Sequence, residues 1–127
     1  MDQYHGKSNS KISGTGGKRH KSSDRKLYLS GSPFTATKLG EREIKKLTVG
    51  RGSTFKVKLK HALFANIKTK EGMKKVKIRN VLESPANRNY ARQNLLTKGT
   101  IIDTEAGKAK VTNRVGQDGV VNGILVS

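Results

Sequence analysis

Lys56, Lys58 and Lys60 alternate with Phe55, Val57 and Leu59, and Lys75, Lys77 and Arg79 alternate in the same way with Val76 and Ile78. Successive side chains of a β-strand leave opposite faces. Each run therefore sends its cations to one side and its apolar groups to the other. Cations at that spacing can neutralise a row of anions, such as the phosphates of a nucleic acid. If the two strands pair, their lysines face one another across the sheet, where like charges are destabilising. A solvated face carries single lysines without comment; six on adjacent strands ask for a counter-charge.

Two further sets of cations are spaced for the same work. Residues 1–32 are built from Gly, Ser, Lys, Arg and His, with Tyr4, Ile12, Leu27, Tyr28 and Leu29 as the sizeable apolar side chains. Lys7, Lys11, Lys18, Arg19, Lys21, Arg25 and Lys26 are distributed along this stretch, and His5 and His20 can add charge near neutral pH. Such a segment cannot bury enough surface to offset its ordering entropy. It is expected to be disordered alone and ordered along phosphates; a solvated tail is the alternative.

The third set lies in residues 83–99, the one stretch that reads as helix. Ser84 suits an N-cap, held extended by Pro85, which then takes the first helical position. Ala86 and Tyr90 share one face and Arg88 and Arg92 the opposite one. Tyr90 is therefore expected in the core and the arginines in solvent, each able to fork onto a phosphate. Leu95 would fall on the arginine face, so the helix is expected to end near Asn94, with Gly99 marking the turn into a strand.

Other chemistry is missing its parts. Gly17-Lys18 is followed by Arg19 where a phosphate loop needs Ser or Thr, and Gly50-x-Gly52 meets Phe55 where a dinucleotide motif needs glycine. His5, His20 and His61 lack metal-ligand spacing, and no nucleophile has a positioned base. The nine carboxylates are mostly single and near basic residues, which does not suit a two-metal centre. No catalytic residue, metal, cofactor or small-molecule substrate is expected.

The elements that must hold these cations follow from the apolar pattern. Ile44, Leu47 and Val49 suggest a strand, and Gly50-Arg51-Gly52-Ser53 a turn into the 55–60 strand. Leu63, Ala65 and Ile67 continue it after a bend, and Thr69-Lys70-Glu71-Gly72 turns the chain into the 75–79 strand. Beyond the helix come a strand at 100–104, a tight turn at 105–107, a return at 108–112, a loop at 114–119 with two turn glycines, and a closing strand over 120–126. The fold expected is mainly β, a small, strongly curved β-barrel or sandwich of about six short strands with one short helix. Residues 1–32 form a basic amino-terminal arm and 33–127 a single β-rich domain.

The chain of 127 residues has a formal charge of +18, with 32% hydrophobic and 5% aromatic residues. That gives a modest core. The first eighty residues hold twenty-one Lys and Arg against five Asp and Glu, whereas residues 101–127 balance three against three, so the positive charge is concentrated. A protein so basic is usually held beside something acidic. Nucleic acid is the first candidate and an anionic membrane surface the second, but no window approaches a spanning segment. The absence of cysteine fits a reducing interior, and the opening residues lack the apolar core of a signal peptide, so a cytoplasmic protein is expected.

The residues then resemble a known family. Glu83-Ser84-Pro85-Ala86-Asn87-Arg88-Asn89-Tyr90, Thr97-Lys98-Gly99-Thr100-Ile101-Ile102 and Gly107-Lys108-Ala109-Lys110-Val111-Thr112 running to Gly116-Gln117-Asp118-Gly119-Val120 carry the likeness most strongly. Gly6-Lys7-Ser8, Thr15-Gly16-Gly17-Lys18, Lys38-Leu39-Gly40-Glu41-Arg42 and Arg51-Gly52 echo it earlier. In these the chain resembles the S8e family of archaeal and eukaryotic small-subunit ribosomal proteins, over nearly its whole length and in the compact archaeal form. The resemblance implies a protein that binds small-subunit ribosomal RNA with a β-rich body and an extended basic arm. It also implies neighbouring ribosomal proteins as partners. Val115 stands where the family commonly has proline, which implies a less stiff loop after it.

Together these readings give a structural constituent of the small ribosomal subunit, in contact with ribosomal RNA mainly through phosphates and RNA shape. The alternative is a free-standing RNA-binding translation or ribosome-assembly factor. The candidate RNA-binding residues are the seven cations of the arm, Arg42, Arg51, Lys56, Lys58, Lys60, Lys75, Lys77, Arg79, Arg88, Arg92 and Lys98.

Overall fold

The computed structural model describes residues 3–20, 23–50 and 52–126, and divides the chain into two compact units, Met1–Phe34 and Thr35–Ser127. Within the first, strand β1 (Gln3–Tyr4) pairs antiparallel with β2 (Ser30–Gly31), just after a single 3-10 turn at Leu27–Leu29. A second narrow loop is closed by the Ser10–Lys18 bridge, with the Arg19 N–H donating to the Asn9 carbonyl at 2.7 Å. None of the described residues of this unit is buried; Ile12 is 90% exposed. Backbone pairing and a few exposed side-chain contacts, with no buried core among the described residues, shape it.

The second unit is all strand except for two short helices. In order it runs β3 (Thr37–Leu39), β4 (Ile44–Val49), β5 (Phe55–Ala62), β6 (Phe64–Thr69), β7 (Gly72–Glu83), α1 (Arg88–Arg92), β8 (Leu95–Leu96), β9 (Ile101–Thr104), β10 (Gly107–Val111), α2 (Val115–Asp118) and β11 (Asn122–Leu125). Strands β10-β11-β6-β7-β9 close a barrel, and β4-β5-β3-β8 form a separate sheet. The strands outnumber the about six expected because β3 and β8 are too short to leave a periodic signal. Ala65, Ile67, Ile78, Ile102, Ala109 and Val111 are among the buried side chains of the barrel strands. Alanines among β-branched residues fill so narrow a barrel. Buried hydroxyls are satisfied: Thr37 donates to the Leu59 carbonyl at 2.6 Å and Thr104 to the Gly107 carbonyl at 2.7 Å.

The pairing corrects one expectation. The strand carrying Lys56, Lys58 and Lys60 does not lie beside the strand carrying Lys75, Lys77 and Arg79; β5 pairs with β4 and β3, and β7 with β6 and β9. The bend after Ala62 sends the chain into a different sheet. Nor does the alternation of β5 persist: the register with β4 shifts between Ile44–His61 and Lys45–Leu59, leaving Lys60 as an extra residue. Such a bulge lets Leu59 and Ala62, three apart, both enter the core. On the turn side of Leu59 the β4–β5 hairpin leaves the core, and its opposed pairs Leu47–Val57 and Val49–Phe55 stay exposed.

Both helices also differ from expectation. The N-cap of α1 is Asn87, not Ser84: its side chain accepts from the Asn89 N–H at 2.9 Å, while Ser84 is buried with its hydroxyl 3.4 Å from that of Thr97. The later start turns the helix, so Ala91 packs against the core and Tyr90 is only half-buried. The expected loop at 114–119 is largely α2, with Val115 buried at its start. Asp118 accepts from the Arg114 N–H at 3.1 Å and from Asn113 Nδ2 at 3.0 Å, which ties the turn together. Gly119 ends it in the left-handed conformation.

Candidate nucleic-acid interface

The cations gather in three places. On the second sheet, Lys56 lies opposite Thr48 and Lys58 opposite Lys46, across the exposed β4–β5 hairpin. Lys46 was missed in the sequence, although Lys46 and Thr48 alternate with Leu47 and Val49. Lys56 and Lys60 are exposed and Lys58 half-buried, and Arg42 is exposed on the loop between β3 and β4.

On the barrel, Lys75, Lys77 and Arg79 are all exposed along β7. Lys75 lies opposite Asn66, whose amide donates to Asn122 Oδ1 at 3.2 Å, and its Nζ stands 4.6 Å from the centre of the Phe64 ring. That contact holds the ammonium against the β6 surface by cation–π attraction. Lys110 of β10 faces Ile124 of β11, which in turn faces Lys68 of β6, a separate outward row that meets Met73 on β7. Lys68 and Lys110 are exposed additions to the expected set; the alternation of Lys108 and Lys110 with Ala109 and Val111 was their signal.

Helix α1 packs against β7 and β8, and both Arg88 and Arg92 are exposed on it. Lys98 is exposed on the turn that leads to β9, where Gly99 takes φ 87. In the first unit Lys7, Lys11, Lys18, Arg25 and Lys26 are exposed and Arg19 is half-buried, with the Arg25 guanidinium 5.2 Å from the Tyr4 ring centre. Lys21 and Arg51 lie outside the described residues.

The electrostatic character of these surfaces follows from what the cations do not touch. Among the described residues the ion pairs are Lys74–Glu71 at 2.7 Å and Lys45–Glu43 at 3.9 Å, and neither includes a candidate residue. Among the described residues the candidate lysines and arginines thus have no carboxylate at ion-pair distance and are open to an external anion. No group of three or more His, Asp or Glu among the described residues could hold a metal ion, and no helix there is long and apolar enough to cross a membrane.

Comparison with known proteins gives the class first: a family model of ribosomal proteins covers residues 6–126, and its description is ribosomal protein S8e. The small ribosomal subunit protein eS8 of Sulfolobus acidocaldarius is 48% identical over 128 aligned positions, covering 99% of this chain and 98% of that protein. The protein of the same description from Nanoarchaeum equitans is 45% identical over 125 positions, covering 97% and 96%, and that from Ignicoccus hospitalis 44% over 128, covering 99% and 98%. The chain belongs to the ribosomal protein S8e family, a family of structural proteins and not of enzymes.

Proposed function

We propose that this protein is a structural constituent of the small ribosomal subunit, acting in the cytoplasm, where it binds ribosomal RNA through phosphate contacts and RNA shape. The observation that carries the reading is the array of exposed cations on β4–β5, β7 and α1 that have no carboxylate partner among the described residues. Such groups release counterions from RNA when they bind, giving affinity without sequence information. Specificity then comes from fitting two separately placed basic surfaces to one RNA shape. The exposed pairs Leu47–Val57 and Val49–Phe55 offer the apolar surface against which a neighbouring subunit protein would pack.

The salt dependence of binding to small-subunit RNA tests this. Replacing Lys56, Lys58 and Lys60 by glutamine removes three charges, and the slope of log affinity against log salt should fall by about one for each phosphate that is no longer neutralised. An unchanged slope would mean that β5 does not meet phosphate. The arm follows the same logic. With no buried residue among those described, residues 3–34 should exchange their amide protons rapidly in the free protein and slowly on RNA. Strong protection without RNA would overturn that part.

A further inference from the structure

Between the second sheet and the barrel lies a cleft of about 380 Å³, lined by Leu39, Gly40, Leu63 and Ile78, with Glu41, Lys77 and Asn94 as its polar members. Its volume is at the low end of the roughly 300–1,000 Å³ of small-ligand sites, and it opens broadly to solvent. The walls are pinned by backbone hydrogen bonds: Leu39 N–H donates to the Asn94 carbonyl at 3.0 Å, Gly40 N–H to the Ala62 carbonyl at 3.0 Å, and Ile78 N–H to the Leu63 carbonyl at 2.9 Å. The cleft is therefore preformed. Asn94 holds a left-handed backbone, φ 52, directly after the turn that ends α1. Asparagine tolerates that conformation better than most residues. The side chains of Glu41, Lys77 and Asn94 make no hydrogen bond or ion pair among the described residues.

An occupant has to satisfy three demands at once. It needs a flat apolar body for the aliphatic walls, an edge with donors and acceptors for a side-chain amide, and an anion for an ammonium. An unstacked RNA nucleotide meets all three. Proteins that read RNA commonly take bases splayed out of the helix and bond their edges, and an asparagine amide can engage a base edge with donor and acceptor together. The carboxylate of Glu41 disfavours a bare phosphate in the cleft and can accept from a base amino group or a ribose hydroxyl.

We propose that this cleft seats one unstacked nucleobase of the bound RNA, with Asn94 on its edge and Lys77 on its phosphate. The proposal rests on the RNA-binding reading above and adds to it a site that reads a base. It is tested on the full, isotopically labelled chain by titration with AMP, GMP, CMP and UMP, and with ribose 5-phosphate at equal concentration. At least one nucleotide should shift the resonances of Leu39, Leu63 and Ile78 and the Asn94 side-chain amide, binding about tenfold tighter than ribose 5-phosphate, the scale of one or two net hydrogen bonds. In Asn94→Gly, which keeps the left-handed backbone, the preference among the four bases should disappear. Equal saturation of the same resonances by ribose 5-phosphate would leave only an anion on Lys77 and overturn the proposal. So would silence with all four nucleotides, as expected if the cleft takes a side chain of a neighbouring protein. Parallel titration of the parent chain with small-subunit RNA separates the two readings. Tight RNA binding with a silent cleft removes the base site alone, whereas no RNA binding removes the reading it rests on.

Discussion

Gly119 joins α2 to the hairpin that carries Lys56 and Lys58, and its replacement by alanine measures how firmly. The residue takes φ 72 and ψ 10 at the end of α2, and its N–H donates to the Val115 carbonyl at 3.3 Å. A Cβ there would lie 2.7 Å from Val57 Cγ1, 3.0 Å from Val57 Cβ and 3.3 Å from the Val57 carbonyl oxygen. The left-handed backbone costs alanine about 1–2 kcal/mol. The collision adds about 1–3 kcal/mol, because valine is stiff about its first torsion and the carbonyl behind it belongs to a paired strand. Gly99 supplies the control: it has φ 87, and nothing lies within 4 Å of an added Cβ. Gly99→Ala should therefore lose the backbone component alone, and Gly119→Ala about 2–5 kcal/mol in all. Thermal unfolding followed by circular dichroism reads the difference. At about 4–8 °C per kcal/mol for a domain of this size, Gly119→Ala should melt at least roughly 4 °C below Gly99→Ala. Coincident melting curves would refute the argument, since they would mean that α2 does not bear on β5 at this point.

Two further expectations concern α1. Asn87→Ala should lower stability by about 1 kcal/mol through loss of the cap to Asn89, visible as a shift in denaturant midpoint at constant slope; no shift would return the cap to another residue. The Arg88→Ala and Arg92→Ala double variant should melt within about 0.5 kcal/mol of the parent, as exposed substitutions do, yet bind small-subunit RNA more weakly at about 150 mM salt. Undiminished affinity would make α1 a spacer between strands.

How far the sequence could be read depended on the range of the interaction concerned. Alternation in one strand is local, and it located the outward cations Lys56, Lys75, Lys77 and Arg79, the turn at 69–72 and the β9–β10 hairpin. Strand partnership is not local. The turn at 50–53 points to Ile44–Val49 as one partner, but nothing near Phe55 says that the other will be the three residues of β3 in place of β7. The shift of the α1 cap from Ser84 to Asn87 turned on a contact between Ser84 and Thr97, thirteen residues on. The cleft is the extreme case, since residues 39–41, 63, 77–78 and 94 carry no common spacing and meet only once both sheets exist. α2 was hidden differently: two glycines in six residues read as a loop, yet Gly119 serves as the left-handed stop of a helix whose first side chain, Val115, is core.

The parallel pairing of β11 with β6 has a consequence for synthesis. Asn122 reaches back 56 residues to Asn66, and Ile124 pairs with Lys68. A closed barrel is complete only when both edges of its sheet exist, so the ring stays open until β11 has left the tunnel in which the chain is made. Pairings of such long sequence separation are slow to form, because loop-closure entropy must be overcome first. The basic arm and the β4–β5 hairpin emerge well before that moment. The nascent chain therefore presents these cations while its barrel is still an open sheet.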